Sequence, residues 1–141
     1  MDYENEIENI LNSITPTEYT SLKKIEKIRF NKINEIYHKF MKYDKNKQNY
    51  ENTLKSLVNY EYIDNINELK SGDIIRFINK TNFFDLQLYN SSVILKIDYA
   101  PKGYIICKQG NYTKMIKNTH IIFRLIPEEI LIKIKLLEMV E

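Results

Sequence analysis

At 141 residues and a formal net charge of +2, the chain has the size of one domain, or of a small domain with a helical appendage, with enough aliphatic and aromatic residues for a core. Near-balanced charge singles out no partner class, and the lone cysteine, Cys107, excludes an internal disulfide. The acidic start MDYENEIENI lacks the basic and apolar regions of a signal peptide, and no apolar run approaches the ~18 residues of a membrane span, so a reducing intracellular setting without a membrane partner is expected.

Residues 2–13 predict a short helix. Asp2 is placed to cap it, Ile7, Ile10, Leu11 and Ile14 fall on one face, and Glu4, Glu6 and Glu8 lie near the positive end of its dipole. Thr15-Pro16 breaks that helix, and Thr17 reads as the N-cap of the next. The second helix is expected over about 18–43. Leu22, Ile25, Ile33, Ile36, Tyr37 and Phe40 form an amphipathic stripe at three-four spacing, and Ile28, Phe30 and Met41 widen it. Residues 44–49, DKNKQN, read as a polar connection. A third helix over about 49–60 carries Tyr50, Leu54, Leu57 and Val58, which completes a helical segment over 1–62. Ile63 and Ile66 are anchors for the loop that follows.

The apolar period then changes from helical to two, the signature of strands. The expected strands are 73–79, 91–99, 103–109, 112–118 and 120–126, separated by turn chemistry at Asn90-Ser91, Pro101-Lys102-Gly103, Gln109-Gly110-Asn111 and Asn118-Thr119. In the last segment, 128–140, the alternation of Ile130, Ile132, Ile134 and Leu136 fits a strand. Pro127-Glu128-Glu129 fits a helix start, and a closing helix is the reading adopted.

Five short strands with tight turns suit a small antiparallel barrel. The expected fold is therefore α+β: an N-terminal helical segment, then a five-stranded antiparallel barrel over 66–141 that ends in the closing helix. The stretch ELKSGDIIRFI opens the first strand with Lys70, Gly72, Asp73, Ile75 and Arg76. This K-x-G-D-x-[IV]-R pattern, followed by the long connection KTNFFDLQLYN, resembles SH3-like barrels. Taken with a composition rich in Ile, Asn, Lys and Tyr, Leu69 to Arg76 and Asn118 to Arg124 also resemble poorly characterised proteins of large nucleocytoplasmic DNA viruses. The resemblance covers about residues 66–126. It implies an interaction module acting in a host cytoplasm or virion, and it carries over no catalytic residue.

Little points to catalysis. Cys107 and His120 both lie in the strand region, but Cys107 sits in YIICKQG as a small buried hydrophobe would. Two distant histidines and one cysteine give no metal-ligand spacing, and three glycines in all give no phosphate loop. Neither a metal nor a cofactor is expected, and the chain reads as a non-enzyme.

Charge placement says more. Residues 1–18 hold five acids and no base, Lys23 to Lys47 hold nine bases against Glu26, Glu35 and Asp44, and Tyr99 to Ile126 hold five bases and no acid. A basic face built from Lys102, Lys108, Lys114, Lys117 and Arg124, with Tyr104 and Tyr112 to stack on bases, would suit nonspecific, salt-sensitive nucleic-acid binding. The plainer reading is a solvated lysine-rich surface. Ile, Asn, Lys and Tyr make almost half the chain and alanine occurs once, as an AT-rich genome would dictate. The leading expectation is an interaction or assembly module. It would bind a protein partner, or a second copy as a homodimer, through the stripe Leu22, Ile25, Ile33, Ile36, Tyr37 and Phe40.

Overall fold

A computed structural model describes residues 3–13, 16–99, 103–116 and 119–140. In chain order its elements are α1 (Tyr3–Ser13), α2 (Pro16–His38), α3 (Asp44–Ser56), β1 (Tyr60–Ile63), a 3-10 turn (Ile66–Glu68), β2 (Ile74–Asn79), β3 (Ser92–Asp98), β4 (Tyr104–Gln109), β5 (Tyr112–Ile116), β6 (His120–Leu125) and α4 (Glu128–Val140). The fold is α+β, and the closing segment is a helix.

All pairings are antiparallel, in the order β1-β6-β2-β3-β4-β5. Strands β2 to β5 form a meander, and β6 returns to lie between β2 and β1. In place of the expected five-stranded barrel, the sheet has six strands and is open, with β1 and β5 as its unjoined ends among the described residues. The added strand comes from Tyr60–Ile63, read from the sequence as the end of a helix and a loop. Tyrosine and isoleucine favour strands, and the alternation sends Tyr60 and Tyr62 to one face and Glu61 and Ile63 to the other. Its register sets Glu61 opposite Arg124 and Ile63 opposite Ile122.

The helix boundaries also move. The helix α2 begins at Pro16, so Thr17 lies inside it, and it ends at His38, short of the expected 43. DKNKQN is the first half of α3, not a connection. The reason is Asn46, which is fully buried. Its Nδ2 donates to the Phe40 carbonyl (2.9 Å) and the Phe83 carbonyl (2.8 Å), and its Oδ1 accepts from the Leu86 N–H (2.7 Å). One side chain thus fastens the turn after α2 and the long β2–β3 connection to α3. Asparagine is a weak helix former, so this tertiary role overrides local preference. Asp2, Ile14, Thr15 and Asn118 lie outside the described residues.

Two cores result from the strand alternation. Ile78, Ile121 and Phe123 point toward the helices and join Ile33, Ile36, Tyr37, Leu57 and Leu86. Ile75, Phe77, Ile94, Ile105, Cys107 and Ile116 point the other way and join Ile63 and Leu69 on the inner face of the curved sheet. The expected interaction stripe is largely inside the protein: Leu22, Ile33, Ile36 and Tyr37 are buried, and Ile25 and Phe40 half-buried. The Tyr37 hydroxyl bonds the Leu86 carbonyl and, at 2.8 Å, Thr53 Oγ1. Helix α4 lies against α1, with Leu136 and Leu137 buried.

Candidate interaction surface

The outer face of the sheet divides in two. Over β1, β6 and β2 it carries the helix-facing core. Over β3, β4 and β5 no described element covers it. Register places Val93 beside Ile74 and Lys108, Lys108 beside Thr113, and Ile106 between Lys96 and Met115. Leu95 bulges out where the β3–β4 register shifts between Ile94 and Lys96. Ile74, Val93, Leu95 and Met115 are 36%, 41%, 49% and 53% exposed, an apolar patch flanked by Lys96 and Lys108. The sequence signal for it was available. SVILKI and YIIC are nearly continuous apolar runs, which suit strands covered on both faces.

Among the described residues the expected basic face is divided between the two sides of the sheet. Tyr104 and Lys108 point outward, opposite Asp98 and Val93 respectively. Tyr112 and Lys114 are opposite Gln109 and Cys107, on the inner side. Period-two alternation splits these four residues between the two faces. Lys114 Nζ lies 4.5 Å from the centre of the Tyr89 ring, which stacks on Phe77 at 4.8 Å. Lys102 and Lys117 lie outside the described residues.

Arg124 is a brace. Its guanidinium reaches Glu61 (3.3 Å), Asp73 (3.6 Å) and the Glu68 carbonyl (2.6 Å), and its Nε is buried without a hydrogen-bond partner among the described residues. The Asp73 carboxylate also accepts the Lys70 N–H at 3.0 Å, which closes the Lys70-Ser71-Gly72-Asp73 turn. Gly72 adopts φ +94°, open to glycine but strained for other residues. The turn is tied to β3 by Gly72 N–H to the Ile94 carbonyl (2.8 Å) and Ile94 N–H to the Asp73 carbonyl (2.9 Å). The motif that opens β2 is therefore a structural joint between β1, β2, β3 and β6.

A cleft of about 570 Å³ lies at the seam of the open sheet. Ile63, Ile105, Ile116 and Ile122 line it, with Lys32, Asp64, Lys80 and His120 among its polar residues. Burial works against the Lys32 ammonium, but the neighbouring Tyr62 and Glu35 outweigh it and hold the amine above its ordinary value. Cys107 is fully buried and donates its thiol to the Lys114 carbonyl (3.6 Å). Burial pushes that thiol up, away from the reactive thiolate. Among the described residues no three His, Cys, Asp or Glu side chains group as metal ligands, and no helix is long and apolar enough to cross a membrane. No protein-family model, curated protein or solved structure matches the chain.

Proposed function

We propose that this protein is a non-enzymatic interaction or assembly module whose protein partner docks on the outer face of β3 to β5, bordered by Ile74 at the start of β2. The observation that carries the reading is the exposure of Ile74, Val93, Leu95 and Met115 on one sheet face, with half-buried Ile106 between β3 and Met115, on a sheet whose other half is roofed by α2 and α3. Apolar residues grouped on one sheet face mark sites that another surface covers. The stripe on α2 is not the docking surface, because it is spent on the protein's own core. A meander followed by a return strand beside its first member is what supports an SH3-like reading of the module. The resemblance at Leu69 to Arg76 is what suggests a viral protein acting in a host cytoplasm or virion.

The test is crosslinking from a photoreactive residue at Val93 in extract, comparing the chain with a Leu95→Lys, Met115→Lys variant. Partners captured by the first and lost by the second support the reading. An identical captured set overturns it. Light scattering of the same two proteins reads whether the partner is a second copy.

A second reading is nonspecific nucleic-acid binding. Lys96, Lys108 and Tyr104 share the outer face, which favours it. Anisotropy of labelled single- and double-stranded DNA tests it: steeply salt-dependent binding, lost in Lys96→Glu, Lys108→Glu, would put this reading first.

A further inference from the structure

We propose that β5 takes an extended, acidic segment of the partner as an added antiparallel strand. This rests on the interaction-module reading and names where and how the partner is held. Among the described residues the strand β5 is a sheet end paired with β4 alone. Gly110 and Asn111 form a two-residue turn between the paired Gln109 and Tyr112, with Gly110 at φ +58°. In such a hairpin the pairs Gln109–Tyr112, Cys107–Lys114 and Ile105–Ile116 exchange backbone bonds. The N–H and C=O groups of Thr113 and Met115 then face away from the sheet, and an extended chain can use them.

The opposite end of the sheet is guarded. Arg29 Nη1 donates to the carbonyls of Val58 (3.0 Å) and Tyr60 (3.1 Å), which takes up the backbone at the start of β1. No side chain among the described residues does this for β5. Strand addition is therefore directed to one end.

Charge selects the partner. From Tyr99 to Ile126 the sequence has no carboxylate, so an extended chain added to β5 meets Lys114 on its inner side and, on the outer side one strand further in, Lys108. Lys114 is half-buried on the inner face of β5, where its Nζ lies 4.5 Å from the centre of the Tyr89 ring. A glutamate or aspartate directly opposite it completes a cross-strand pair. The next residue on that face lies opposite Ile116, beside the cleft, and suits an apolar side chain. A second copy is a poor occupant. The five residues of β5 are centred on Lys114, so fully overlapped antiparallel pairing sets Lys114 against itself.

The probe is a labelled peptide with the core Ile-Val-Glu-Val-Thr and polar ends, with Ile-Val-Lys-Val-Thr as its match. The expected result is binding of the glutamate peptide, about fivefold weaker binding of the lysine peptide, and reversal of that preference by Lys114→Glu. Thr113→Pro removes an outward N–H at a position where edge strands tolerate proline, and should abolish binding of both. Backbone N-methylation of the glutamate peptide should do the same without changing the protein. The inference is overturned if the glutamate peptide does not bind, if both peptides bind equally, or if the N-methylated peptide binds as well. Because Thr113 lies outside the apolar patch, partner capture that needs Leu95 and Met115 can persist while this test fails. The docking face would then stand and the strand addition fall.

Discussion

The two halves of the sheet are built to different standards. Strands β1, β6 and β2 are covered on both faces and braced at one end by Arg124 between Glu61 and Asp73. Among the described residues, strands β3, β4 and β5 are covered on the inner face alone, and their outer face carries exposed Val93, Leu95 and Met115. A side chain in the first half is held from several directions, so its loss leaves a cavity or an orphaned charge. An outward side chain in the second half touches solvent, so its loss costs stability little. The difference separates residues that hold the fold from residues free to serve a partner.

Mutations can break that comparison, beginning with the largest effect. Phe123→Ala, at a fully buried position under the helices, should destabilise by about 3–5 kcal/mol in urea unfolding. A cost below about 1 kcal/mol would show that the helices do not pack on the sheet in solution. Arg124→Met should cost about 1–3 kcal/mol, because it leaves Glu61 and Asp73 near one another without their shared cation. Both carboxylates keep some access to water, which holds the figure below that of a fully buried pair.

Tyr37→Phe should cost about 1–2 kcal/mol at neutral pH, since Thr53 and the Leu86 carbonyl lose a buried partner. Burial pushes the Tyr37 hydroxyl from 10.0 up to about 12. The unfolded phenol ionises first, so this contribution is complete below pH 10.0 and is lost as pH rises toward about 12. Unfolding midpoints across that window should fall more steeply for the parent chain than for Tyr37→Phe. Parallel slopes would mean that Tyr37 is not buried.

Cys107 sharpens the contrast within one strand. Its thiol should react with a disulfide reagent only as fast as the protein opens, because it is buried and pushed up. A cysteine placed at the neighbouring Lys108 position should react at once. The smallest effect on stability belongs to Leu95→Lys. It should shift unfolding by no more than about 0.5 kcal/mol while partner capture is lost. A large destabilisation would mean that the outer face is covered in the free protein.

Much of the fold was legible because local patterns agreed with it. The spacing from Leu22 to Tyr37 marked α2, and the alternation in DIIRFIN and HIIFRLI marked β2 and β6. Pro127-Glu128-Glu129 outweighed the misleading alternation of Ile130, Ile132 and Ile134, since a first-turn proline and acids suit a helix start. The misses fell where a distant residue decides. Tyr60–Ile63 is too short to declare itself and becomes a strand by pairing with β6. DKNKQN looked like a loop because its helical role depends on Asn46 reaching Phe40, Phe83 and Leu86.

The same division governs the candidate site. The sequence alone determined that strands follow helices, that cations crowd the stretch from Tyr99 to Ile126, and that Cys107 is a small apolar filler, because composition and period act locally. It did not determine which face each cation occupies. A one-residue step along a strand reverses a side chain, so Lys108 and Lys114 separate only once register is fixed. Nor did it determine that Arg124 is a brace and the α2 stripe a core. Burial and ion pairing are properties of neighbours brought together from far along the chain, and only the tertiary structure supplies them.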